Sequence, residues 1–135
     1  MLEYERDFGH RPAPQVQVNI SNHPATGWTE DQINACNLPA GELPHYIPFP
    51  NIPPEMLTGE VIELAGDIAD QIAEMDLPAH SRVMVQGEMT LTFALVSYLK
   101  KMRLVPVAAT TERETVENQD GTKTSRFRFV QFREY

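Results

Sequence analysis

Between Thr58 and Ala109 the spacing of apolar residues changes period from one segment to the next, and this alternation constrains the fold more than any other feature. Val61, Ile62, Leu64, Ala65, Ile68, Ala69, Ile72 and Met75 recur at three- and four-residue intervals with Glu63, Asp67, Asp70, Gln71 and Glu74 between them. That is the pattern of an amphipathic helix, preceded by Thr58 and stopped by Leu77-Pro78. Arg82-Val83-Met84-Val85-Gln86 lacks clean alternation, as suits a central strand buried on both faces. It runs into Gly87 and a second helix, about Glu88 to Met102, apolar on nearly all sides. Lys100, Lys101 and Arg103 close that helix in the order its macrodipole favours. Leu104 to Ala109 forms another apolar strand.

The flanking segments extend the same order. Val16-Gln17-Val18-Asn19-Ile20 alternates apolar and polar residues with β-branching, and Ser21-Asn22-His23-Pro24 ends it. Thr29-Glu30-Asp31-Gln32 fits a capping box opening a short helix through Ile33 and Cys36. In the proline-rich stretch Leu38–Pro54, His45 to Pro50 reads as an edge strand or extended coil. After Thr110-Thr111-Glu112-Arg113, the segments Arg113–Asn118 and Thr124–Phe132 flank Asp120-Gly121, a hairpin signal. Strands alternating with helices imply an α/β, Rossmann-like fold: a mostly parallel sheet with helices on both faces and a C-terminal antiparallel hairpin. Residues 1–15 read as an N-terminal arm, on the surface or partly disordered, and 16–135 as a single domain. A chain of 135 residues has room for one core and one principal site.

Composition narrows the partners. The net charge of −8 argues against a non-specific binder of long nucleic acid, which needs a broad basic face. The charge is uneven, −11 over residues 1–99 and +3 over 100–135, so a small anionic ligand would find countercharge in the last quarter. No apolar run approaches a membrane span and no secretory signal opens the chain, so no membrane role is expected and the cytoplasm is the default compartment. Cys36 is the only cysteine, which excludes an intrachain disulfide and a cysteine-based zinc site. It reads as a small apolar residue on a half-buried helix. His10, His23, His45 and His80 show no metal-ligand spacing, and no metal or cofactor is expected.

In an open sheet of this kind ligands bind outside the carboxyl ends of the strands. Three loops leave such ends: Ser21–Trp28, Gly87–Thr90 and Thr110–Arg113. At Gly87 a strand passes directly into a helix, so the free N–H groups of Glu88, Met89 and Thr90 form either a phosphate-sized backbone site or simply a tight turn whose Glu88 complements the dipole. No G-x-G-x-x-G and no Walker lysine is present, which disfavours ordinary dinucleotide or P-loop chemistry. His23, beside Ser21 and Asn22, is either a proton-transfer or phosphate-donating group or a loop hydrogen bonder. Arg113 is either a bidentate phosphate clamp or half of a surface ion pair with Glu112 or Glu114. Arg126-Phe127-Arg128-Phe129 reads as an edge strand with one solvated face, a subunit contact or a stacking platform.

Taken in order, Asn19-Ile20-Ser21-Asn22-His23-Pro24, Gly87-Glu88-Met89-Thr90, Ala109-Thr110-Thr111-Glu112-Arg113 and Phe127-Arg128-Phe129-Val130-Gln131-Phe132-Arg133 resemble the small stand-alone CRISPR-associated proteins of CARF (CRISPR-associated Rossmann fold) architecture. The resemblance covers roughly residues 16–135. It implies a homodimer that binds a cyclic oligoadenylate, most simply cyclic tetra-adenylate, across its two-fold axis. The family's ring nucleases linearise that messenger by attack of a ribose 2′-hydroxyl on the adjacent phosphate, without metal. By position, Ser21, Asn22, Gly87, Glu88, Met89 and Thr90 fall at the family's ligand-contacting places, and Thr111 and Arg113 correspond more loosely. The family's catalytic side chains vary, so His23 and Arg113 as catalytic groups rest on their own chemistry. A non-catalytic messenger sensor or sponge, and a Rossmann-like domain for another phosphorylated metabolite, are the competing expectations.

Overall fold

The computed structural model describes residues 14–135, and the N-terminal arm expected over 1–15 lies outside them but for Pro14 and Gln15. Five strands form one mixed sheet: β1 (Val16–Ser21), β2 (His45–Pro48), β3 (Arg82–Val85), β4 (Val105–Glu117) and β5 (Lys123–Glu134). Three helices connect them: α1 (Glu30–Asn34), α2 (Thr58–Glu74) and α3 (Met89–Lys101). The strand order is β2-β1-β3-β4-β5, parallel except for the antiparallel β4–β5 pair. The α/β, Rossmann-like class read from the alternating periods is the observed fold.

Period-two side-chain alternation divides the core between the faces of the sheet. Val18, Ile20, Val83 and Val85 pack against Val61, Ala65, Ile68, Ile72, Leu91, Leu95 and Leu99 of α2 and α3. Val16, Met84, Val107 and Phe132 form a smaller cluster with Trp28, Cys36 and Leu38, in the segment that contains α1. Thr29 caps α1 by accepting from the Gln32 N–H at 3.5 Å. Helix α2 begins at Thr58 rather than after it, and the side chain of Glu60 reaches back to accept from the Leu57 N–H at 3.1 Å.

The expected end of the fourth strand near Ala109 is corrected. Thr110 to Arg113 is no strand-end loop, because β4 stays extended to Glu117 and pairs with β5 from Val107↔Glu134 out to Glu117↔Lys123. A register shift between Thr110 and Thr111 marks where the sheet becomes a two-stranded ribbon. Cross-strand pairing beyond that bulge holds these residues extended. Asp120-Gly121 lies at the tip as read from the sequence, with Gly121 at φ +84°, a conformation side chains other than glycine's rarely take.

Candidate functional site

From β1 the chain moves outward to β2, then crosses back to β3 and on to β4. The connections leaving β1 and β3 therefore diverge at the carboxyl edge, where an open sheet is expected to form its ligand crevice; a hollow at this edge is lined from the β3 side, by Gln86, Gly87, Met89 and Phe93, with none of Ser21, Asn22 or His23 among its walls. Gln86 donates its N–H to the Ile20 carbonyl at 3.0 Å, so the loops after β1 and β3 start side by side. The topology brings Ser21-Asn22-His23 and Gly87-Glu88 to one place.

The first loop is locked from beneath. Asn19 and Ser21 are 0% and 1% exposed, so their polar atoms need partners inside the protein. The Ser21 hydroxyl donates to Asn19 Oδ1 at 2.7 Å and accepts from the His23 N–H at 3.1 Å, while Asn19 Nδ2 donates to the His23 carbonyl at 2.9 Å. The Ser21 carbonyl accepts from the Phe49 N–H at 3.1 Å and the Tyr46 hydroxyl at 2.9 Å. Ser21 is thus consumed in shaping the loop. The side chains of Asn22 and His23 are presented to solvent.

The second loop is spent on itself. A Cβ at Gly87 would lie 2.5 Å from the ring of Phe49, so glycine here admits an aromatic side chain rather than a ligand. Glu88 is the N-cap of α3, and its carboxylate accepts from both the N–H and the hydroxyl of Thr90. Those bonds, the hydroxyl's first, hold the Glu88 carboxyl below the usual glutamate range. Thr90 in turn bonds within the helix cap, and Met89 projects outward, 84% exposed. Of the three N–H groups read as a phosphate-sized site or a tight turn, that of Thr90 bonds the protein's own Glu88 carboxylate.

The third expected loop is part of the ribbon. Thr111 pairs with Phe129 and Arg113 with Phe127, on the ribbon face that continues the Trp28–Phe132–Phe129 aromatic row. Arg113 donates to Ser125 Oγ at 3.1 Å and joins no ion pair among the described residues. Arg126 and Arg128 on the opposite face pair with Glu112 and Glu114. Lys100 and Lys101 end α3, which starts at the crevice and runs back along the sheet, so they stand at the far edge. The basic last quarter therefore brings little countercharge to the crevice beyond Arg113 and its ribbon.

Several residues that build the site were not read from the sequence as site residues. Asn19 signalled itself as the polar member of a β-branched strand. Gln86 replaces a missing rung of the β3–β4 ladder: its Oε1 accepts from the Ala109 N–H at 2.9 Å and its Nε2 donates to the Ala109 carbonyl at 3.3 Å. Tyr135 donates its hydroxyl to the Val85 carbonyl, and burial raises its pKa. Nothing in the sequence pattern linked Phe49 or Tyr135 to this edge. Cys36 is buried, with its thiol pushed up to about 11 by desolvation, and serves the core as expected of a small apolar residue. Among the described residues no three His, Cys, Asp or Glu side chains gather closely enough to hold a metal ion, and no helix is long and apolar enough to cross a membrane.

The fold is an α/β, Rossmann-like sheet whose strand order changes direction between β1 and β3. Residues 15–133 match the Uncharacterized protein MJ1673 family, and the chain belongs to that family. No curated protein and no solved structure matches it.

Proposed function

We propose that the chain binds a cyclic oligoadenylate at the β1/β3 crevice and opens the ring. The observation that carries this reading is the locked first loop: a buried Asn19–Ser21 pair fixes the backbone while leaving Asn22 and His23 free at the switch point. A loop held rigid beneath exposed donors suits a small polar ligand whose phosphates and riboses must be positioned. The resemblance noted in the sequence supplies the messenger's identity.

In this scheme His23 takes the proton from a ribose 2′-hydroxyl, the 2′-oxygen attacks the adjacent phosphorus, and the bond to the 5′-oxygen breaks. Water protonates the leaving oxygen, and the product is linear with a cyclic 2′,3′-phosphate. Asn22 and the free donors of Arg113 stabilise the charge that develops on the phosphate. Glu88 keeps phosphate off the α3 N-terminus, so the ligand's phosphates sit toward the first loop and its adenines toward Met89 and Phe93. There a hollow of about 450 Å³ is also lined by Gln86, Val96 and Tyr135.

One observation favours a second reading, in which the crevice holds the messenger without cutting it. The His23 imidazole makes no hydrogen bond among the described residues, whereas a general base is ordinarily oriented by a third group. Incubating the purified protein with cyclic tetra-adenylate in EDTA and separating the products by chromatography distinguishes the two. Linear product with a cyclic phosphate end is expected. Intact messenger with calorimetric binding leaves only the sensor, and absence of binding overturns both.

A further inference from the structure

The β3–β4 ladder opens beside the hollow, and one side chain fills the opening. Val105 donates its N–H to the Ser81 carbonyl, and the register runs from Arg82↔Val105 to Met84↔Val107. Continued two residues at a step, a parallel ladder would take the Ala109 N–H to the Val85 carbonyl and the Gly87 N–H to the Ala109 carbonyl. Both Ala109 groups turn instead to the Gln86 amide, whose Oε1 accepts from the N–H at 2.9 Å and whose Nε2 donates to the carbonyl at 3.3 Å. The Val85 carbonyl is left to the Tyr135 hydroxyl.

In Ala109 the Gln86 amide meets a donor beside an acceptor. Adenine carries the same pair along one edge, its 6-amino group beside N7, and a glutamine amide takes both together. Gln86 and Tyr135 line the hollow with Met89 and Phe93, which are 84% and 76% exposed and offer a base an apolar and an aromatic surface. Thr92 Oγ1, in the same wall, is buried without a partner among the described residues, so the chain does not satisfy every polar group there by itself. On the messenger reading of this site, on which the assignment rests, we propose that Gln86 selects adenine by exchanging Ala109 for the base. The exchange strands no polar group. The freed Ala109 N–H meets the Val85 carbonyl, the Ala109 carbonyl meets the Gly87 N–H, and the Tyr135 hydroxyl turns to water. Binding thereby closes the ladder and draws the root of the β4–β5 ribbon toward β3.

Calorimetry of the full chain with three rings tests it: cyclic tetra-adenylate, its 7-deaza analogue, which lacks the N7 acceptor, and its inosine analogue, which has an oxygen in place of the 6-amino group. The wild type should prefer the adenine ring to either analogue by about 10-fold or more, the scale of one bidentate pair. Gln86→Ala should bind all three alike. The preference is a ratio within one protein, so a general loss of stability does not move it, and the 7-deaza comparison needs no variant. Tyr135→Phe frees the Val85 carbonyl for Ala109 while keeping the aromatic wall, and should bind the adenine ring a few-fold more tightly. Equal wild-type affinity for the adenine ring and either analogue, a preference that survives in Gln86→Ala, or a Tyr135→Phe chain that binds no better would each overturn the proposal. A wild type that binds none of the three rings would overturn the messenger reading itself, and this assignment with it.

Discussion

The loop after β1 and the loop after β3 leave neighbouring strands at one edge of the sheet, and they use their polar groups in opposite ways. The first hides its structural bonds below the surface, through Asn19 and Ser21, and leaves Asn22 and His23 free. The second turns its polar groups inward: Glu88 caps Thr90, and Phe49 fills the space that Gly87 leaves. A helix N-terminus next to a glycine is therefore no vacancy when an acidic N-cap stands beside it. Under the proposed function the chemistry at this edge would belong to the first loop, and the second would supply shape and an apolar border.

The largest expected effect tests that division directly. His23→Ala should lower turnover of cyclic tetra-adenylate about 100-fold or more, the usual worth of a positioned acid or base. Because the side chain is exposed, the thermal midpoint should hardly move. A variant that loses binding together with turnover would give His23 a recognition role instead.

Stability should divide the loops the other way. Asn19→Ala removes one acceptor and one donor from beneath the loop and leaves the Ser21 hydroxyl to bond the His23 carbonyl alone, a loss of about 1–2 kcal/mol in denaturant unfolding. Gly87→Ala forces a methyl into the Phe49 ring and should lose about 1–3 kcal/mol by overpacking. If the double variant Gly87→Ala/Phe49→Leu recovers most of that loss, the glycine serves the ring. A neutral Gly87→Ala would return the glycine to the role of ligand approach.

The sequence made the fold legible because helix and strand periods alternate so plainly through Ile68, Val83 and Leu95. The carboxyl-edge loops followed from that order and from Pro24 and Gly87 as breakers. What stayed hidden depends on partners distant along the chain. Phe49 meets Gly87 only once β2 lies beside β1, and Tyr135 reaches Val85 across fifty residues. The reach of β4 was missed for a related reason. Thr110 to Arg113 is polar enough to read as a loop, and its register with β5 keeps it extended. Arg113 was placed by type in a loop and stands instead on the ribbon.

The smallest expected effect decides how completely the second loop is closed. Glu88 is held ionised by the Thr90 hydroxyl and amide, and its pKa in the folded chain lies below its unfolded value. A carboxylate so shifted favours the native state above its unfolded pKa and loses that contribution as the pH falls through the folded one. The cap should therefore be intact at neutral pH and weaken only well into acid. Glu88→Gln keeps the shape and removes the charge, leaving the Thr90 N–H and the α3 dipole with a neutral acceptor. Affinity for cyclic tetra-adenylate at neutral pH should then rise a few-fold, because a repelling carboxylate has left the crevice wall, and the gain should shrink with added salt. An affinity that falls in Glu88→Gln would mean that the carboxylate accepts a hydrogen bond from adenine or ribose. The second loop would then be a recognition element in its own right, and the two loops would share the ligand.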